Sequence, residues 1–168
     1  MTQDLNEPWV ANKEYTRYTL WFIYACIIYS IIGFSWGALM GGIPEFRNMV
    51  DSGVHGHRIV LAHTHINLLG WVEMAIFGAI YYLVPRLVRR PIYSKTLVKV
   101  HFWMHNLGLL GVVVFFTASG LTGFYIDGGE DTASRFMALG GSFGGLVLLA
   151  NIIWGYNLFR TSAGWEKQ

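Results

Sequence analysis

Charge is scarce in this 168-residue chain. Asp, Glu, Lys and Arg make up 13% of it, against roughly 25% in an ordinary soluble domain. Hydrophobic residues supply 54%, and the mean hydropathy of +0.41 points the same way. That balance excludes a disordered chain and a basic nucleic-acid-binding domain, so no nucleic-acid partner is expected. Cysteine is nearly absent as well. The single one, Cys26, lies inside an apolar run, so no disulfide forms within the chain and a disulfide-stapled secreted module is excluded. Without a Cys-x-x-Cys-His motif, covalent c-type haem attachment is excluded too. The polar start, Met1 to Arg17, lacks a short apolar core followed by an Ala-x-Ala-like cleavage site. No removable signal peptide is expected, and the first span would itself direct insertion. Internal repeats and low-complexity tracts are missing.

What the sequence does have is four long apolar runs, at about Tyr18 to Met40, Ile59 to Val84, Val100 to Tyr125 and Phe136 to Phe159. Each suffices to cross a bilayer core of ~30 Å as a helix. The alternating strands of a closed barrel are not visible. The expectation is an all-α integral membrane fold, a four-helix transmembrane bundle forming one membrane domain over residues 1–168, with the lipid bilayer as its first partner. Orientation follows from Lys and Arg in the short loops. Arg86, Arg89, Arg90, Lys95 and Lys99 lie between the second and third spans, and Lys13, Arg17, Arg160 and Lys167 lie in the tails. The other side has only Arg47, Arg58 and Arg135, beside Glu45, Asp51, Asp127, Glu130 and Asp131. Both termini and the basic loop are therefore expected in the cytoplasm.

Pro85 and Pro91 bracket the basic loop, where one helix is expected to stop and the next to start. In the fourth run, Gly140 with Gly144 and Gly141 with Gly145 make two overlapping small-xxx-small pairs. Such pairs let helix backbones approach closely, inside the bundle or against a second chain.

Intramembrane histidine and glutamate are costly and tend to be functional. Six histidines fall into three groups: His55 and His57, His63 and His65, His101 and His105. On straight helices the second group lies near the outer end of its span and the third near the inner end. That reading puts the two groups on opposite sides of the membrane, beyond the reach of one shared iron. His63 and His65 point roughly 200° apart on a helix. His63, Asn67 and Gly70 make one polar stripe taken as interior, which leaves His65 for a partner chain or a cofactor between chains. His101 and His105 share a face with Gly108, where a glycine makes room for a flat macrocycle or a neighbouring helix. His101 also suits an interfacial hydrogen-bonding role. Glu73, the one acidic residue within the predicted spans, is a candidate for proton transfer or a buried hydrogen-bonded group.

Imidazole suits haem iron and also copper and zinc. A bundle with interior histidine and small residues is a natural haem b pocket. The candidate cofactor ligands are His63, His65, His105 and His101. His55, His57, His63 and His65 form the alternative, an outward-facing copper or zinc site. Met40 and Met137 are candidate thioether donors, or plain core. No catalytic triad, phosphate loop or carboxylate pair is present, so no catalytic residue is assigned.

The stretch His65-Ile66-Asn67 through Tyr81-Tyr82-Leu83-Val84-Pro85, then Arg90-Pro91-Ile92-Tyr93-Ser94 and Val100-His101-Phe102-Trp103, resembles the catalytic subunit of haem–copper oxidases. The resemblance is to the cbb3-type oxidases and their nitric oxide reductase relatives, and covers about forty residues. Against the cbb3-type copper-site helix, it implies that His65 matches a copper-ligating histidine. Against the second helix of the nitric oxide reductase subunit, it implies that His63 is the axial ligand of a low-spin haem b. The run Ala62 to Trp71 is also similar to small oxidase-like membrane proteins of bacteria. Departures accompany the match. The full subunit has twelve or more spans, and its copper site needs a His-His pair where this chain reads Phe115-Phe116-Thr117-Ala118-Ser119-Gly120. The later helix that binds both haem irons has no counterpart here.

The expected function is a haem b electron-transfer subunit of the bacterial inner membrane. It would pass electrons between quinol or a periplasmic donor such as a cytochrome and a partner oxidoreductase. The missing second ligand would come from the outer-side groups, a second copy or a partner respiratory subunit. The rivals are a copper- or zinc-handling membrane protein, a non-redox accessory subunit whose histidines only pack, and a catalytic oxidase assembled from several chains.

Overall fold

Hydrophobic side chains on every face of a helix leave it stable only in lipid or in a large core. The computed structural model of the chain, which describes residues 13–163, is built from such helices. The residues before 13, which bear on the signal-peptide expectation, and Lys167 of the topology argument lie outside the described residues.

The elements are α1 (Lys13–Gly42), α2 (Pro44–Val50), α3 (Val54–His65), a π-helical turn (Ile66–Val72), α4 (Glu73–Leu87), α5 (Lys95–Tyr125) and α6 (Glu130–Ser162). No strand occurs among the described residues. Four stretches are long and apolar enough to span a membrane: Thr16–Gly42, Val54–Leu87, Lys95–Tyr125 and Glu130–Ser162. The second joins α3, the π turn and α4 end to end. The fold is thus the expected all-α bundle of four membrane-spanning helices. The helices overrun the predicted runs at every end but one, the third stopping at Tyr125 as predicted, because polar residues at a bilayer surface stay helical past the hydrocarbon edge.

Large apolar side chains such as Ile28, Ile31, Phe34, Val114, Leu148 and Ile152 stand exposed on the outside, as a lipid-facing surface requires. Inside, the core divides along its length. Towards the basic loop, Phe22, Phe77 and Tyr81 are buried beside Val98 and Leu109, with ring centroids 6.0 Å apart for Phe22–Phe77 and 5.4 Å for Phe22–Tyr81. Towards the other end, Ala62, Val112 and Phe116 pack with Trp36, Met137 and Phe143. Met137 is therefore core.

The glycines separate by partner. A Cβ on Gly140 would lie 2.5 Å from Phe116 of α5, whereas nothing stands within 4 Å of one on Gly141 or Gly145. The Gly140 pair packs inside the bundle, and the Gly141 pair faces outward.

Pro85 does not stop its helix, contrary to the expectation. It lies inside α4, which ends at Leu87. The ring costs only the bond to the Tyr81 carbonyl in a last turn whose carbonyls are partly unpaired anyway. The start of α5 is set instead by Ser94, whose side chain accepts from Leu97 N at 3.3 Å. Buried Asn157 of α6 fastens that corner. Its Oδ1 accepts from Ser94 N at 3.0 Å and its Nδ2 donates to Ser94 O at 2.9 Å. Asn157→Ala strands Ser94 N and takes one of two donors from Ser94 O, which keeps Val98 N, so we expect a loss of about 1–3 kcal/mol, measured by chemical unfolding in micelles. Asn157→Asp keeps the acceptor and should lose less.

Candidate functional site

Three side chains along the second span bond to carbonyls one turn back. Thr64 Oγ1 donates to Val60 O at 2.9 Å, His65 Nδ1 meets Leu61 O at 2.7 Å, and Asn67 Nδ2 donates to His63 O at 2.9 Å. Side chains that claim these carbonyls compete with the backbone ladder. The ladder relaxes to π geometry over Ile66–Val72, a form that recurs at functional sites. One carbonyl in that turn, Leu69 O, lies 3.1 Å from His105 Nε2 on α5.

The span presents two different polar faces. The face towards α1 carries His63 and Asn67. There α1 is reduced to Gly33 and Gly37: a Cβ on Gly33 would come 2.5 Å from Asn67 Oδ1, and one on Gly37 would come 3.1 Å from His63 Cε1. Asn67 Nδ2 also lies 3.3 Å from His63 Nδ1 and 3.4 Å from Nε2. Beside the imidazole opens a groove of about 520 Å³, lined by Phe34, Gly37, Ala38, His63, Thr64, Asn67, Leu68 and Trp71. Phe34 and Trp71 meet edge to face at 4.7 Å, and Trp36 stands 6.1 Å from the His63 ring. Exposed Phe34 and Leu68 put this groove at the bundle surface.

The other face meets α5 and α6. His65 lies against Phe116, ring centroids 5.4 Å apart, so it faces its own chain and not a partner. Deeper in, His105 and His101 are both fully buried. His105 Nε2 stands 3.7 Å from Glu73 Oε2, and the Asn151 side chain of α6 lies beside the Glu73 carboxyl. His101 Nδ1 is bonded with the Tyr81 hydroxyl at 3.1 Å. Phe77 packs between them, 4.4 Å from the His101 ring and 5.2 Å from the His105 ring.

These positions correct three expectations. His101 is core and not interfacial. His105 stands level with Leu69, four residues beyond His65, so about 6 Å of depth separates them. Only His105 departs from the expected depth, because α5 begins at Lys95 and carries it further in; His101, bonded to Tyr81, stays towards the basic end. The room beside Gly108 goes to a helix and not to a macrocycle: a Cβ there would meet Val147 Cγ2 at 2.8 Å and the Phe143 carbonyl at 3.0 Å.

The outer histidines do not converge. His55 Nε2 pairs with Glu130 Oε1 at 2.8 Å, Arg58 reaches the same carboxylate at 3.9 Å, and His57 is exposed. Among the described residues no three His, Cys, Asp or Glu side chains group to hold a metal ion. Sequence reasoning missed Trp154, Asn151 and the Gly33–Gly37 pair. The spacing rule that picks out Gly140 and Gly144 would have found the last.

The family model for cytochrome c and quinol oxidase polypeptide I matches residues 5–147. Cytochrome c oxidase subunit 1 of Rhodobacter capsulatus is 35% identical over 154 residues, covering 81% of this chain and 28% of the relative. A cytochrome c oxidase subunit 1 homolog of Agrobacterium tumefaciens (strain T37) is 32% identical, covering 71% and 25%. The cbb3-type cytochrome c oxidase subunit CcoN1 of Stutzerimonas stutzeri is 29% identical, covering 60% and 24%. The chain spans about a quarter of the length of the curated relatives it matches.

Proposed function

The chain belongs to the cytochrome c and quinol oxidase polypeptide I family, and from that membership we propose that it is a haem b electron-transfer subunit in which His63 would hold the haem iron. It is a multi-pass protein of the bacterial inner membrane. The observation that carries the reading is the His63 groove. An imidazole stands at the edge of an apolar, aromatic-walled space of about 520 Å³, and α1 is trimmed to glycine opposite the ring. That donor and lining fit haem b. His65 is a weaker donor, since its Nδ1 is tied to Leu61 O and its ring is packed on Phe116.

When bound there, haem b supplies a one-electron carrier whose potential follows its ligands and burial. The chain's own residues do the rest. Asn67 anchors the His63 turn and restrains its ring. Phe34, Leu68 and Trp71 exclude water from the groove and lower its local dielectric. Because the groove opens on the bundle surface, the second ligand is proposed to come from another chain, either a second copy or a partner respiratory subunit. Quinol or a periplasmic cytochrome is the proposed donor, and the basic end is proposed to face the cytoplasm.

The test is a dithionite-reduced minus oxidised spectrum of the purified chain, with a pyridine haemochrome on the same sample. A sharp α-band and b-type haem are expected. A flat spectrum from cells with ample haem overturns the reading.

A further inference from the structure

The polar cluster between α4, α5 and α6 takes no part in the groove chemistry. Four of its side-chain atoms are buried without a protein hydrogen-bond partner: His101 Nε2, His105 Nδ1, Trp154 Nε1 and Glu73 Oε2. Buried polar atoms are nearly always satisfied, and a cluster left open in this way calls for a ligand or a chemical role. Both histidines are 0% exposed, in a protein where buried imidazole is expensive.

The pattern of the bonds already made is informative. The Leu69 carbonyl is an acceptor only, so His105 Nε2 carries the proton and Nδ1 is a bare acceptor. If the Tyr81 hydroxyl donates to His101 Nδ1, then His101 Nε2 carries a proton. The open atoms are then two donors, on His101 and Trp154, and two acceptors, on His105 and Glu73. That is the complement of a water molecule, which takes two hydrogen bonds and gives two. The polar groups also run in a line. Tyr81 lies near the basic end of its span, and Glu73 lies eight residues deeper, about 12 Å. The Glu73 side chain, at 24% exposure, is the one end of the line that reaches the bundle surface.

We propose that Tyr81, His101, His105 and Glu73 form a water-bridged proton relay through the half of the membrane next to the basic loop. The step balances as a chain of hops. The Tyr81 oxygen, itself buried, takes a proton through a water on its basic-loop side and passes its own to His101 Nδ1. His101 releases its Nε2 proton to the bridging water, which gives one to His105 Nδ1. His105 then releases its Nε2 proton to Glu73 Oε2, 3.7 Å away. One proton moves, no electrons move, and both imidazoles end as the opposite tautomer. Trp154 Nε1–H orients the water, and the Asn151 side chain steadies the Glu73 carboxyl. The groups facing the relay are Phe22 of α1, Phe77 of α4, and Asn151 and Trp154 of α6. None of these four is charged at any ordinary pH.

The relay goes beyond the haem reading and does not depend on it. The test is infrared spectroscopy of the full chain in lipid bilayers during exchange from H₂O to D₂O. The Glu73 carboxyl band is identified by its loss in Glu73→Gln. In the unaltered chain this band shifts as deuterium arrives. Tyr81→Phe and His101→Phe each slow that shift by about a hundredfold, the loss expected on removing a positioned proton-transfer group. Tyr81→Phe keeps the ring in the core, so it serves if His101→Phe does not fold. Exchange at the unaltered rate in a folded variant overturns the relay, as does absence of a protonated Glu73 band at every pH tested. A stoichiometric copper or zinc ion that His101→Phe removes would make the pair a metal site and overturn it too. The haemochrome on the same samples reads the haem proposal separately.

Discussion

His63→Gly strips the chain of haem b, and added imidazole brings it back. The groove supplies the reason. Gly37 stands opposite the His63 ring and the groove opens at the bundle surface, so removing the side chain leaves a slot that free imidazole enters. Outer partners of a metal ligand are worth about 10- to 100-fold in affinity, so loss of the ligand itself should lower haem retention by at least about tenfold. His65→Gly should leave haem content unchanged, because that ring is held by Leu61 O and Phe116 inside its own chain. Haemochrome content per chain separates the two variants. Full haem in His63→Gly without imidazole would refute the assignment.

Gly108→Leu should be the most damaging substitution in the α5–α6 interface. A Cβ at Gly108 meets backbone, with Phe143 O and Val147 N each at 3.0 Å, so no side-chain rotation relieves it. Overpacking a core commonly costs about 1–3 kcal/mol, and backbone contact puts this case at the upper end. The two helices are also pinned near the basic loop by the Ser94–Asn157 bonds. The strain therefore cannot be shed by sliding, and it should draw His105 away from Leu69 O. Gly145→Leu, with nothing within 4 Å, is the control and should unfold like the unaltered chain. Unfolding in mixed micelles followed by circular dichroism reads both. Equal midpoints for Gly108→Leu and Gly145→Leu would contradict the packing argument.

Hydropathy made the four spans legible, because four runs of over twenty apolar residues have few alternatives. The angular separation was legible too: His63 and Asn67 face α1, and His65 faces away towards α5. Which face is interior was not, since the His63 groove opens at the bundle surface and His65 packs on Phe116 within its own chain. Depth was not legible. Where His105 sits depends on where α5 begins, and Lys95, Thr96 and Lys99 are polar residues that the helix keeps. The π turn was invisible because its cause, successive side-chain bonds to Val60, Leu61 and His63 carbonyls, leaves no trace in hydrophobic periodicity. The role of Pro85 was misread because a proline near a helix end costs little. Trp154 and Asn151 could not be tied to Glu73 without knowing which face of α6 packs inward. The short α2 was missed, although Pro44 at its first turn is a recognised start signal.

The π turn at Ile66–Val72 has one more consequence. A helix of fixed pitch locks the azimuth of every side chain to every other, so moving Glu73 to a better bearing would drag His63 with it. The wider turn is a phase offset inserted between two regular screws on a common axis. The upper screw keeps His63 trained on α1, with Asn67 at the start of the turn beside it, while the lower one aims Glu73, Phe77 and Tyr81 at α5 and α6. Two polar sites with different geometric demands thus share one crossing of the membrane, each with its own angular setting.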